Sequence, residues 1–286
     1  MNSIATIIII LIIIAIILLI ISQNEDISTT DNLNPNHPEA KLLYSYGLFS
    51  NDPMTQEMQD NIKHNEYITG LSYEVLGPTE VEHDLNIIED VVPGITNAYN
   101  SVPRGVAKSD IARLVSLYVR GGHYTDLDVA FKRLPPIKAG QVTLYTETFS
   151  LKDNNFIRIA NFALASPSKH EFVKDVLYEI VNRVNISAGK LTWTDNDVLN
   201  TTGPDVVTSI YHRNSKKYYN DTGENSVKRI GFLNSRKILS HKCAGSWRNH
   251  QDKEMGALQA PSSSLGGSNF CSFCHVKFHE CNGKIK

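Results

Sequence analysis

Hydrophobic and polar positions divide the chain sharply. Residues 4–21 are Ile, Leu and Ala, interrupted only by Thr6. A run of about 18 apolar residues can cross the roughly 30 Å hydrocarbon core of a bilayer. It is long for the apolar part of a cleaved signal peptide, lacks a basic segment before it, and is not followed by a small-x-small cleavage pattern. An uncleaved, N-terminal transmembrane signal anchor over residues 1–22 is therefore expected. Residues 23–39 are Asn, Ser, Thr, Asp and Pro with few apolar positions, as in a flexible stem.

From residue 40 the pattern changes to short apolar runs separated by turn residues. Residues 41–48 (KLLYSYGL) read as a buried first strand. Asn51-Asp52-Pro53 reads as a helix start, with Asp52 as cap and Pro53 in the first turn, and the helix is expected to run to about His64. Residues 71–76 alternate as a second strand that Gly77-Pro78 ends, and short helices are expected over 81–89 and 94–99. Strand, helix, strand and more helix is the order of an α/β domain with a mostly parallel central sheet.

The stretch 108–131, KSDIARLVSLYVRGGHYTDLDVAF, concentrates the chemistry. Ser109 is the expected cap of a helix with Asp110 in its first turn, and Ile111, Leu114, Val115 and Tyr118 share one face. Asp110 and Arg113 are neighbours on another face. Gly121-Gly122 stops the helix, and 124–131 reads as a strand. Alternation would put Asp126 and Asp128 on one side, with Leu127 and Val129 turned inward. Two same-side carboxylates raise each other's pKa unless a cation sits near them, and Mg²⁺ or Mn²⁺ is commonly held by one or two carboxylates plus phosphate. A solvated strand edge explains the same pair equally well on spacing alone.

Composition changes the picture little. The chain has 286 residues, 41% hydrophobic and 20% charged, with a net charge of -2 and a pI near 6.5. That suits one large α/β domain and gives no basic footprint for nucleic acid. Asn-x-Ser/Thr triplets at Asn185, Asn200 and Asn220 are no more than a chain rich in these residues yields by chance.

SDIARLVSLYVRGGHYTDLDVAF resembles the core of glycosyltransferases with a DxD sugar-binding region (family 32 type). That group includes the yeast initiating α-1,6-mannosyltransferase and the α-1,4-galactosyltransferases, and is distantly similar to the clostridial glucosylating toxins. The resemblance rests on Asp110, Arg113, Leu117, Tyr118, Gly121, Gly122, Tyr124, Asp126 and Asp128, with His123 where the family usually has a small or aliphatic residue. It extends more weakly to KLLYSYG, to Asn161 in RIANFALA, to Thr202-Gly203-Pro204, and to HKCAGSW from His241 to Trp247. The first segment lacks the proline and histidine usual in the family.

The resemblance implies a GT-A fold and a metal-dependent, retaining hexosyl transfer from a UDP- or GDP-sugar to a glycan or lipid acceptor. It implies Mn²⁺ or Mg²⁺ on Asp128, Asp126 and His241. Asp110, Arg113, Gly122, Tyr124, Asp126, Asn161, Ser246 and Trp247 would hold the donor, with Asp110, Arg113, Asp126 and Trp247 closest to the chemistry. Thr202, Gly203 and Pro204 would face the acceptor. The catalytic domain would span residues 40–259, on a single-pass type II protein facing the lumen of the Golgi or endoplasmic reticulum. The alternatives are a non-catalytic sugar-binding protein of the same fold and a metal-dependent phosphohydrolase or glycosidase using the paired aspartates. Trp193 is expected in the core or on the acceptor side.

Residues 260–286 form a Ser/Gly linker and a tail with Cys271, Cys274, His275, His279 and Cys281. These, with Cys243, suit disulfides or free thiols better than zinc.

Overall fold

The computed structural model describes residues 13–14, 41–48, 53–133, 140–150, 156–218, 226–241, 270–271 and 276–277. The expected anchor (Ile13 and Ile14 aside), the stem, Ser246, Trp247 and most of the tail lie outside the described residues. Among the described residues no helix is long and apolar enough to cross a membrane.

The central sheet has six strands: β1 (Leu42–Ser45), β2 (Tyr73–Leu76), β3 (Gly122–Thr125), β5 (Gln141–Ser150), β6 (Phe156–Ser166) and β7 (Ser226–Ile230). Their order is β2-β1-β3-β6-β5-β7. β1 runs parallel to β2 and β3, and β5 runs parallel to β7. β6 is antiparallel to both its neighbours, β3 and β5. The protein is thus mixed α/β with a mostly parallel sheet, and β6 is the one reversed strand in it. A separate two-stranded ribbon joins β4 (Val129–Phe131) to β8 (Leu239–His241). Another joins β9 (Phe270–Cys271) to β10 (Val276–Lys277) in the tail.

Strand alternation sends side chains to two hydrophobic layers. Leu43, Leu144, Ile159 and Leu164 join one core with the helices α2 (Pro78–Ile88), α3 (Ile95–Ser101), α4 (Gly105–Arg120), α5 (Glu171–Ile186), α6 (Asp195–Thr201) and α7 (Pro204–Arg213). Leu42, Tyr145, Ala160 and Phe162 join a second core with Val129 and Phe131 of β4, and with Ile238 at the end of α9 (Phe232–Ile238). Helix α1 (Gln56–Thr69) lies on this second side, and a short α8 (Ser215–Tyr218) follows α7.

Three sequence-based expectations need correction. Helix α1 starts later and ends later than 52–64, because Thr55 caps it by accepting from the Met58 N–H at 3.2 Å. Pro53 precedes the helix rather than opening it. Helix α4 begins at Gly105 after an extended Arg104, so Ser109 is not its cap and Asp110 is not in the first turn. Asp110 instead sits in the second turn, buried against the rest of the domain. The strand expected over 124–131 is broken. β3 stops at Thr125, and the Val129 N–H closes a turn onto the Asp126 carbonyl at 3.0 Å. β4 then leaves the main sheet to pair with β8. Asp126 and Asp128 therefore stand on a turn rather than one face of a strand, and Leu127 is half-buried rather than inside.

Candidate functional site

Helix α4 is buried along most of its length, which fixes Asp110 and Arg113 rigidly, each 4% exposed. Arg113 is thus no surface residue. Its guanidinium lies 3.1 Å from Asp110 Oδ1 and 3.3 Å from Asp126 Oδ1. It also donates to the Asn161 carbonyl and stacks over the Tyr124 ring, 4.9 Å from its centroid. The planar fork reaches several acceptors at once, which an ammonium could not do from one position.

Asp110 gathers the second ring of contacts. Asn161 Nδ2 donates to Asp110 Oδ1 at 2.8 Å, and Thr202 Oγ1 donates to Asp110 Oδ2 at 3.1 Å. Thr202 was expected on the acceptor side; the fold brings it directly to Asp110. Gly203 and Pro204 make that approach possible. Gly203 packs so tightly that a Cβ would stand 2.9 Å from Leu199 Cα, and Pro204 opens α7. Asn161 Oδ1 is buried and has no hydrogen-bond partner among the described residues. A buried amide oxygen without a donor carries a free-energy cost, which a ligand hydroxyl would relieve.

Asp126 is anchored through its backbone, its N–H donating to the Phe162 carbonyl at 2.8 Å. Its carboxylate accepts from Tyr124 OH at 2.9 Å, and that hydroxyl also lies 3.0 Å from Ser45 Oγ at the end of β1. Asp128 Oδ2 lies 3.2 Å from His241 Nε2. The register Val129↔His241 of the β4–β8 ribbon sets that contact, and the imidazole stacks on Phe162 at 4.0 Å. So the segment holding His241 does meet the aspartate turn. Gly122, by contrast, opens β3 at the far end of the strand from Asp126. Its φ of +111° and the Lys41 carbonyl, 3.1 Å from a would-be Cβ, account for glycine there.

Electrostatics follow from one arginine facing three carboxylates. Burial raises the Asp110 pKa to about 6, although Arg113, Thr202 and Asn161 all favour its charged form. Burial also raises Asp126, opposed by Arg113 and reinforced by Asp128. For His241, burial favours the neutral ring, but Asp128 and then Asp126 and Glu147 reverse the sign and raise its pKa. The cluster is electron-rich and suited to a cation.

Among the described residues no three His, Cys, Asp or Glu side chains gather as a metal-binding group. Hard divalent cations need few protein ligands, since one or two carboxylates with phosphate and water complete the shell. Asp128 and the neighbouring Asp126, each partly open to solvent, fit that demand. A cavity of ≈ 150 Å³ elsewhere, lined by Asn97, Ser101, Lys190 and Trp193 among others, includes none of these residues.

Sequence reasoning missed Ser45, Phe162 and the amides of α1, Asn61 and Asn65. Asn61, Asn65 and Thr69 recur every four residues, a polar stripe that is legible once the helix is known to be buried on that side.

Residues 23–149 match the family described as glycosyltransferase sugar-binding region containing DXD motif. The matched stretch includes Asp110, Arg113 and the Asp-x-Asp sequence of Asp126 and Asp128. No curated protein matches the chain. Among solved structures the chain is similar to PaToxG glycosyltransferase at 15% identity and a TM-score of 0.46, over 68% of this chain and 76% of the other. It is similar to the UDP-bound glycosyltransferase domain of the YGT toxin at 13% identity and a TM-score of 0.40, over 69% of this chain and 61% of that one. The ligand-free form of that domain gives 13% identity and 0.40, over 66% of this chain and 62% of the other.

Proposed function

We propose that the protein is a metal-dependent, retaining glycosyltransferase of GT-A fold and family 32 type, moving a hexose from a UDP- or GDP-sugar to a glycan or lipid acceptor. The observation that carries this reading is the convergence on Arg113. Side chains or carbonyls from α4, β6 and the aspartate turn meet one buried guanidinium, inside the stretch similar to a sugar-binding region.

Asp128 would hold the divalent metal, with Asp126 and His241 beside it. When bound, the metal supplies positive charge to the diphosphate leaving group. Arg113, Asp110 and Asn161 would orient the sugar, whose hydroxyls can accept from the guanidinium and donate to the orphaned Asn161 Oδ1. Thr202 holds Asp110 in place from the side where the acceptor is expected. Tyr124 lies beneath Arg113 and steadies Asp126. Trp247 and Ser246 would complete the phosphate side. A signal anchor over residues 1–22 would keep this domain at a membrane, facing the lumen.

The test is a panel of UDP- and GDP-sugars with Mn²⁺, assayed for hydrolysis and binding by the purified protein. Binding or hydrolysis that disappears in Asp128→Asn supports the reading. No binding of any nucleotide sugar, or an unchanged Asp128→Asn, overturns it.

A further inference from the structure

The turn that carries Asp126 and Asp128 is held by a helix far away in sequence. β4 pairs with β8 along one edge only. The Val129 carbonyl and the Phe131 N–H and carbonyl, which face away from β8, would be left bare. Side chains of α1 take the place of the missing strand. Asn61 Nδ2 donates to the Leu127 carbonyl at 2.8 Å and to the Val129 carbonyl at 2.7 Å. Asn65 Nδ2 donates to the same Val129 carbonyl at 2.8 Å, and Asn65 Oδ1 accepts from the Phe131 N–H at 2.8 Å. His64 Nε2 donates to the Phe131 carbonyl at 2.8 Å.

The two amide nitrogens are fully used. A side-chain amide nitrogen carries two hydrogens. Those of Asn61 go to Leu127 and Val129; those of Asn65 go to Val129 and to Tyr73 OH, which in turn lies 2.7 Å from Thr125 Oγ1. Asn61 is 5% exposed and Asn65 1%. A helix that buries asparagines rather than leucines on its inner face gives up hydrophobic gain, so the bonds must be what that face is for.

Leu127 is the residue between the two aspartates. Its carbonyl is gripped by Asn61, and the Val129 carbonyl, two residues on, by both amides. These bonds fix the Leu127–Asp128 peptide plane and the exit of the turn at Val129, while the Asp126 N–H is held on the Phe162 carbonyl, so the place of Asp128 relative to Asp126 depends on the two amides. We propose that Asn61 and Asn65 are positioning residues, whose amides set the spacing of the two carboxylates and through it the affinity for a divalent metal with a nucleoside diphosphate. This rests on the glycosyltransferase reading above. Groups that orient metal-holding carboxylates from behind are typically worth about 10–100-fold in metal affinity.

The experiment uses the full-length chain in detergent, with Mn²⁺ alone, Mn²⁺ with UDP and Mn²⁺ with GDP as probes, read by electron paramagnetic resonance and calorimetry. Asn61→Ala is compared with Thr69→Ala, which removes the bonds of Thr69 Oγ1 to the Asn65 carbonyl and from the Leu71 N–H, neither of them in the aspartate turn. Asn61→Ala is expected to weaken the metal–nucleotide complex by about tenfold or more, whereas Thr69→Ala binds as the wild type even where its stability falls. In metal-free protein, Asn65→Ala should speed hydrogen exchange of the Phe131 amide, a readout independent of turnover. Where Asn61→Ala fails to fold, Asn61→Ser serves, since its hydroxyl is too short to reach both carbonyls. Wild-type affinity in a folded Asn61 variant overturns the proposal alone. A wild-type chain that binds neither complex overturns the glycosyltransferase reading and this one with it.

Discussion

Arg113 works by shape as much as by charge. It reaches Asp110, Asp126 and the Asn161 carbonyl from one buried position. Arg113→Lys keeps the charge and loses the fork, so nucleotide-sugar affinity measured by calorimetry should fall at least about tenfold, with the fold unchanged by circular dichroism. His123 belongs to a different problem. It is fully buried, stacked on Phe131 at 5.1 Å, with Nε2 3.2 Å from Tyr145 OH. Burial lowers its pKa to about 3, and burial lowers that of His170 to about 4. Unfolded histidine takes up a proton near pH 6.5. Below that pH the unfolded chain binds more protons than the folded one, so stability falls as pH drops from about 6.5 toward 3. Asp110, raised to about 6, acts in the opposite sense, since its folded form takes up a proton first. The His123 share is isolated by difference: in urea unfolding, His123→Phe should lose stability less steeply with acid than the wild type.

At the scale of elements, the sequence was informative wherever apolar spacing carried the signal. The buried face of α4, the first two strands and the glycine stop after Arg120 were all legible. Boundaries set by tertiary contacts were not. Ser109 has the chemistry of a cap, yet the helix extends a turn earlier because Ala107 and its neighbours pack inward. The break after Thr125 depends on β8, more than a hundred residues later, which no local pattern announces. The role of α1 was equally hidden, because a stripe of Asn61, Asn65 and Thr69 looks like a solvated face until its partners are known. Two predictions belong here. Thr55→Ala should cost about 1 kcal/mol in urea unfolding through the lost cap on α1. Gly203→Ala should cost about 1–3 kcal/mol by the same measurement, because its Cβ would press on the backbone of Leu199 and Val198. It should also weaken donor binding, as Thr202 shifts from Asp110.

For the whole molecule, the cluster around Arg113 was partly readable from sequence because much of it is compact in sequence: Asp110 to Asp128 spans one helix, a glycine turn, one strand and the aspartate turn. The arrival of Asn161, Thr202 and His241 was legible only through family resemblance, since each comes from a distant element. The apolar run at residues 4–21 adds a prediction about the entire chain. Expressed in cells, the full chain should remain with membranes after alkaline carbonate extraction. A chain starting at residue 40 should be released and unfold at the same temperature. A released full chain would remove the anchor.

The reversed strand β6 has a mechanical consequence. Asn161 and Phe162 are consecutive, so they leave opposite faces of the sheet. Asn161 serves Asp110 and Arg113; Phe162 backs His241 and, through its carbonyl, anchors Asp126. One pair of adjacent residues thus acts as a common datum for both halves of the site, like the reference edge from which two parts are machined. A slip of β6 by one residue would misplace both halves together, exchanging amide for ring. Drift in either half alone must come from its own side of the sheet. Tolerance for change in this protein should therefore be narrowest along β6, in a strand that contributes neither carboxylate nor arginine to the aspartate turn.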